Sequence, residues 1–395
     1  MKVCIVPAGY KPIPPVKGGA VETIVQNIIE RNEHYEELEL TVLSAKNMEA
    51  EKKALNYKRT QFVFFEMNST LDKIYYWCVY KVLKKFLNII LPDYLIKNNM
   101  VKYVEKNQNE FDWIIFEGGE IDCLKYYSKR LNPEKIIYHS HGEVVNKKKL
   151  ENCFGYYMSV SNFVKDVWNK NVAISRKSMS ITLMNGVNQD KFKKITSKEK
   201  EETREKLGFC AEDTVLIYVG RIIQEKGILE LLRTMELLPN NIKLLLIGSS
   251  NFGDKTLTTY EKRVEKMLIK LKGRVAFSGY IPNEKIGKYY QIGDISVVPS
   301  IFNDPAPLVI IESMAAGLPI ITTGTGGIRE YCDSNCAVFV EKGEEFETRL
   351  AYEIEDLSNN PVKMNKMGLY AKERAALFTD EAQYKNMVKI LSSIT

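Results

Sequence analysis

Across 395 residues no apolar run approaches the roughly 18 needed to cross a bilayer, so the sequence predicts no membrane span. Nor does the opening MKVCIVPAGY have the longer apolar core and cleavage site of a signal peptide; it reads as a first strand. Cysteine is sparse and scattered, at 4, 78, 123, 153, 210, 332 and 336. The one close pair, Cys332 and Cys336, has no partner pair at zinc-ribbon spacing, and reduced thiols in a cytoplasmic protein are expected. Histidine occurs three times, and no Asp-x-Asp is present to clamp a divalent cation. No G-x-G-x-x-G fingerprint exists, which speaks against a dinucleotide-dependent oxidoreductase. Internal repeats and low-complexity tracts are also missing. The net charge of +6 is small for this length. It suits phosphates or an acidic membrane surface and does not single out nucleic acid, so no nucleic-acid partner is expected.

What remains is an alternation of strands and helices from end to end. KVCIVPA, LELTVLS, FVFFEM, DWIIFEG, KIIYHSH and GYYMSVS are β-type runs in the first half, with periodic segments such as AVETIVQNIIERN between them. TVLIYVG, NIKLLLIG, RVAFSG, DISVVPS and LPIITTG repeat the logic in the second half. Short apolar strands separated by helices argue for parallel sheets covered on both faces. Two such series in a chain too long for one ordinary core predict an α/β protein of two doubly wound domains. The seam is placed at MNGVNQDKF: a first domain over 1–184, a second over 185–378, and a terminal helix over 379–395 that completes the second domain or folds back onto the first. That helix opens at Thr379 and Asp380, with Tyr384, Met387, Val388 and Leu391 on one stripe. The aromatic and basic stretch 73–97 reads as helices packed on the first domain, or as a patch for peripheral contact with an anionic membrane.

Three stretches look built for anions. In NDPAPLVIIESMAAGLP, 303–319, Ala306 is kept out of the α region by Pro307, which fits the first helical position. The helix then runs to Gly317, a left-handed stop. The N–H groups of Leu308 and Val309 point out unpaired from the helix start, where the dipole is positive. Glu312 lies about five residues, ~7.5 Å, into the helix and Asp304 just outside it, so both could accept from sugar hydroxyls. An ordinary capped helix with one solvated Glu remains open. In VGRIIQEKGILELL, 219–232, Gly220 precedes Arg221, and Lys226-Gly227 opens a helix. Cations after a strand end can neutralise a diphosphate; two solvated basic residues are the bland reading. In PPVKGGAVETIV, 14–25, Gly18 and Gly19 directly precede a helix, so bare backbone can approach an anion. His139 and His141 share a strand face, with Glu143 following. No further ligand cluster is visible, and no metal is expected. TGTGGIRE, 323–330, reads as a turn lining a nucleotide cleft rather than an NAD site.

Together these stretches resemble the retaining, nucleotide-sugar-dependent glycosyltransferases of the large GT-B family 4. The likeness is carried by KGGAVE, VGRIIQEKG, DPAPLVIIESMAAGLP, the hinge-like MNGVNQDKF, VSNFVKD and TGTGGIRE, and it covers nearly the whole chain. The C-terminal motifs are the specific ones. The resemblance implies two Rossmann-like domains facing a cleft, with the donor on the second and the acceptor on the first. It implies that Arg221 and Lys226 grip the donor diphosphate and that Glu312 binds the ribose hydroxyls. Asp304 stands where the family has a Glu that contacts the transferred sugar, and His141 matches the active-site His. Gly18, Gly19, Gly220, Ile281, Leu308 and Val309 join the donor-binding set. Two positions depart from the pattern. Asp304 is one methylene shorter than Glu, and Pro307 replaces the usual Gly, removing one backbone donor near the phosphate.

By that resemblance the chain would move a hexose-type sugar, UDP-linked by preference, onto a glycan or lipid-linked acceptor in bacterial surface polysaccharide synthesis. It would need no metal and no cofactor besides its donor. It would work in the cytoplasm or at the inner face of the membrane. A nucleotide-sugar epimerase or hydrolase of the same architecture, or a non-catalytic binding scaffold, are the competing readings.

Overall fold

A computed structural model describes residues 1–9, 11–16, 18–66, 94–119, 121, 124–144, 150, 152–177, 179–248 and 258–395, with the backbone alone for 94–98 and Tyr126. The chain divides into two compact units, Met1–Met184 with Gln383–Thr395, and Asn185–Ala382. Each is a parallel sheet flanked by helices, the doubly wound α/β architecture expected.

The first unit holds β1 (Lys2–Val6), β2 (Glu39–Ala45), β3 (Thr60–Phe65), β4 (Trp113–Glu117), β5 (Ile136–Ser140), β6 (Tyr156–Ser159) and β7 (Ser180–Thr182). Their spatial order is β3-β2-β1-β4-β5-β6-β7. Val3, Cys4, Ile5 and Val6 are all fully buried, as a strand with helices on both faces requires. The helix Ala20–Tyr35 buries Ile24, Val25, Ile28 and Ile29, one stripe at helical spacing. At its far end the buried Asn32 amide donates to the Leu38 carbonyl (2.9 Å) and accepts from the Leu38 N–H (3.0 Å). Tyr384, on the final helix Asp380–Ile394, donates to the same Asn32 oxygen at 2.7 Å. The body of that helix therefore clusters with the first unit. Tyr384, Met387 and Leu391 are its buried stripe, and Val388 is half-buried.

The second unit holds β8 (Thr214–Val219), β9 (Ile242–Ile247), β10 (Val275–Gly279), β11 (Ile295–Val298), β12 (Ile320–Thr322) and β13 (Ala337–Phe339), in the order β10-β9-β8-β11-β12-β13. Leu216, Leu231, Leu232, Leu244 and Leu246 lie at the centre of its core, all fully buried. Both sheets thus reverse direction next to their first strand, between β1 and β4 and between β8 and β11.

Every β-type run read from the sequence is a strand. The strand-like run before the turn at Asn185 and Gly186 is β7, and the strand the sequence did not show, β13, is three residues long at a sheet edge. Of the aromatic, basic stretch 73–97, residues 73–93 lie outside those described, and 94–97 open the helix Tyr94–Asn107. Among the described residues no helix is long and apolar enough to cross a membrane.

One glycine couples the fold of the second unit to its loops. Gly227 has φ 70°, and a Cβ there would lie 2.0 Å from the Pro299 carbonyl oxygen. Gly227→Ala should therefore lower stability by at least about 2 kcal/mol, through left-handed strain and a backbone clash. Urea unfolding followed by circular dichroism reads this; an unchanged midpoint would contradict the close approach.

Candidate functional site

Parallel neighbours β8 and β11 send their following connections to opposite faces of the sheet, which leaves a crevice beyond their carboxyl ends. Both connections carry predicted residues. After β8 come Gly220, Arg221, a 3-10 turn over Gln224–Lys226 and the helix Ile228–Leu237. After β11 comes the loop that holds Asp304, then the helix Leu308–Ala316. The two loops are fastened back to back, the Ile301 N–H donating to the Glu225 carbonyl at 3.0 Å. This sets the Lys226 ammonium against the Asp304 carboxylate in an ion pair. Its Nζ also lies 4.9 Å from the centroid of Phe302. Asp304 is the buried member, and the Ser300 hydroxyl reaches its Oδ2 at 3.4 Å.

The stretch TGTGG braces the loop after β11. Thr323 and Thr325 donate to the carbonyls of Ser300 and Phe302, each at 2.7 Å, and the Gly327 N–H donates to the Asp304 carbonyl at 2.8 Å. A Cβ at Gly326 would lie 2.2 Å from that same carbonyl oxygen. The Asn185 amide at the seam reaches the Ala306 carbonyl at 3.2 Å. The backbone at Asp304 is thus held on several sides.

One expectation about the helix start needs correcting. Pro307 is not the first helical residue but the N-cap, with extended backbone at φ −71° and ψ 119°. Leu308 is the first, because the Pro307 carbonyl already accepts from the Ile310 N–H at 3.1 Å. The amides of Leu308 and Val309 have no carbonyl one turn earlier in the helix to reach. Glu312 sits one turn deeper and is buried, not solvated. The buried Tyr290 hydroxyl donates to its Oε2 at 2.8 Å. Burial raises the Tyr290 pKa, with the Glu312 charge adding to it, so the phenol keeps its proton for that bond.

Arg221 is exposed and makes no ion pair among the described residues. Its carbonyl accepts from the Tyr218 hydroxyl at 3.2 Å. Burial raises the pKa of that phenol, Tyr260 and Asp304 raise it further, and Arg221 opposes them, so Arg221 and Asp304 both act on one hydroxyl. Gly220 lies against the next loop: a Cβ on Gly248 would come 1.7 Å from its carbonyl oxygen. Ile281 follows β10, half-buried, at the same sheet end. The second unit therefore gathers Gly220, Arg221, Lys226, Ile281, Asp304, Leu308, Val309 and Glu312 beyond the carboxyl ends of its strands.

Gly18, Gly19 and His141 belong to the first unit. Gly18 and Gly19 do precede a helix, with φ 68° and 135°. The backbone there is not bare, however. A Cβ on Gly19 would lie 1.9 Å from Glu22 Oε2, so the chain's own carboxylate already faces this helix tip. Burial raises the Glu22 pKa, with its backbone hydrogen bond and Lys11 pulling the other way.

His141 follows β5 and is joined to a residue the sequence reading missed. Glu117, the last residue of β4, pairs in register with His139. Its Oε2 lies 2.9 Å from His139 Nδ1 and 2.8 Å from His141 Nε2. Glu143, the carboxylate suggested by sequence, is exposed instead. The legible signal was a Glu ending the apolar run DWIIF. These three ligand atoms lie within 4.8 Å of one another, close enough for a metal ion. The set fits a cation poorly, because metal-ligating histidines almost always donate from their other nitrogen, and His139 Nε2 is buried without a partner. Burial pushes the Glu117 carboxyl up, but the facing imidazoles, His139 first, pull it further down, to about 2. Burial and the neighbouring His139 both lower the His141 pKa, against its bond to Glu117.

Comparison with known proteins adds a family. The description "Glycosyl transferases group 1" matches residues 199–374. Spore coat protein SA of Bacillus subtilis is 29% identical over 208 residues, 51% of this chain and 55% of that protein. The chain thus spans about half the length of that relative. The lipopolysaccharide 1,2-N-acetylglucosaminetransferase of Salmonella typhimurium is 25% identical over 327 residues, 81% of this chain and 79% of that one. Among solved structures, Anabaena Alr3699/HepE in complex with UDP-glucose aligns over 100% of both chains with a TM-score of 0.75 at 18% identity. WaaG, a glycosyltransferase involved in lipopolysaccharide biosynthesis, aligns with a TM-score of 0.64 at 15% identity. At such identities these two likenesses are of fold.

The burial of Glu312 generates a test of its own. Burial raises its carboxyl above the ordinary 4.5, with Tyr290 and Lys191 opposing. A carboxyl raised in the folded protein keeps a proton that the unfolded chain has already lost. Its ionisation therefore works against folding as pH rises beyond 4.5. Glu312→Gln, which keeps an oxygen for Tyr290, should gain stability relative to the native protein between about pH 4 and pH 7. Thermal unfolding at several pH values would show a widening Tm gap; a gap independent of pH would refute the raised carboxyl.

Proposed function

We propose, from the match of residues 199–374 to the description "Glycosyl transferases group 1", that the chain is a retaining glycosyltransferase. Its donor is a nucleoside-diphosphate sugar, UDP-linked by preference, and its acceptor a glycan or lipid-linked glycan of the bacterial cell surface. The observation that carries the reading is the fastening of the β8 and β11 loops. It gathers two cations, a buried carboxylate and a helix start at the crevice of one sheet. Several comparisons agree with it. HepE was solved with UDP and with UDP-glucose, and the Salmonella relative is named for transfer of N-acetylglucosamine.

In this reading Arg221, Lys226 and the amides of Leu308 and Val309 hold the diphosphate. Glu312, its Oε2 taken by Tyr290, offers Oε1 to the ribose hydroxyls. Asp304 faces the transferred sugar once Lys226 turns to the phosphate. As the glycosidic bond breaks, negative charge grows on the β-phosphate, where fixed cations and backbone dipoles lower the barrier most. That phosphate accepts the acceptor's hydroxyl proton on the same face, and the acceptor oxygen takes the anomeric carbon. Protein cations carry the leaving charge, so no metal is required. His141 is assigned to a hydroxyl of the sugar or acceptor.

Two measurements check this. A panel of nucleotide sugars should raise Tm for a UDP-sugar and yield transfer without added divalent cation. Arg221→Ala should keep the native Tm, since the side chain is exposed, and lose roughly a hundredfold or more in kcat. Full kcat in Arg221→Ala on that donor would overturn the assignment.

A further inference from the structure

The Glu117 trio is built around one oxygen. Both imidazoles point a nitrogen at Glu117 Oε2, while Oε1 has no partner among the described residues. An ionised carboxylate can only accept, so His139 Nδ1 and His141 Nε2 must each carry a hydrogen. The two rings lie with centroids 4.4 Å apart, which leaves little room for either to turn. Glu117 and His139 are 1% exposed, whereas His141 is 13% exposed. The open side of the trio is therefore His141, whose Nδ1 makes no hydrogen bond among the described residues.

We propose that Glu117 is a positioning residue that locks His141 in its Nε2–H tautomer and presents Nδ1 as a bare acceptor to a substrate hydroxyl. The inference rests on the transferase reading for the identity of that hydroxyl, on a sugar or glycan, and on geometry alone for the tautomer. A neutral imidazole with a free lone pair accepts from an O–H and offers nothing to a phosphate. Burial and the adjacent His139 keep His141 from gaining a second proton, in agreement with this role. The same trio gives His139 its place. It braces His141 from behind, held by the carboxylate that β-sheet register sets opposite it. Gly118 follows directly, and a Cβ there would lie 3.3 Å from His141 Cδ2, so the loop after β4 packs close to the ring.

The chain has three histidines, which makes the tautomer readable. Long-range 1H–15N spectra of protein labelled at histidine, assigned with His34→Gln and His141→Asn, should show His141 protonated at Nε2 and bare at Nδ1. Glu117→Gln offers one acceptor and one donor in the same shape. It should shift His141 toward the Nδ1–H form and lower kcat roughly tenfold or more, with the donor KM held within about twofold. A native His141 in the Nδ1–H or doubly protonated form overturns the proposal. So does stoichiometric metal in the purified protein, or a kcat loss in Glu117→Gln with the tautomer unchanged. Should that variant fail to fold, the native spectrum still decides. A native protein with the Nε2–H tautomer that transfers no sugar from any donor sinks the transferase reading and supports the lock.

Discussion

The structure depends on a constraint of parallel sheets. Neighbouring strands β8 and β11 send their connections to opposite faces, which leaves a crevice between their carboxyl ends. Polar groups that would be costly in a core can be held there, provided something rigid holds them. In this unit the rigidity comes from backbone. The Glu225 carbonyl catches Ile301, Gly227 lets Pro299 approach, and the threonines at 323 and 325 catch Ser300 and Phe302. The Lys226–Asp304 pair is a consequence of this fastening. A buried pair of this kind adds little net stability, because desolvation offsets attraction. Its value lies in keeping a cation and a carboxylate poised at one spot.

The first unit applies the same constraint with different chemistry. Its reversal lies between β1 and β4, and the carboxyl ends of β4 and β5 carry Glu117, His139 and His141. Where the second unit offers cations and helix amides, this one offers a compact acid–imidazole cluster. Cations stand beside β8 and histidines beside β5.

Much of the architecture was legible because its signals are local. DWIIF or KLLLI must be strands when β-branched and aliphatic residues run together between turn residues. The helix over 308–316 declared itself through Pro307 and Gly317, although the proline proved to be the cap and not the first turn. The edge strand β13, three residues long, left no such trace. All candidate residues of the second unit except Ile281 lie within motifs short enough to read: Gly220 to Lys226, and Asp304 to Glu312. Glu22 shows the limit of such reading. Two glycines before a helix do suit an anion, and the anion that faces them belongs to the same helix.

The sequence by itself determined the alternation of elements, the α/β class and which residues carry the charges and carboxylates of the candidate site, since periodicity, turn chemistry and residue type are properties of neighbours in the chain. Only the tertiary structure decided which of those residues touch. Lys226 and Asp304 are 78 positions apart, Tyr290 and Glu312 are 22, and Glu117 and His141 are 24. Two of these pairs follow strands that lie side by side in a sheet, the third joins two helices, and both arrangements are settled by the packing of the whole domain. Local pattern carries no record of it.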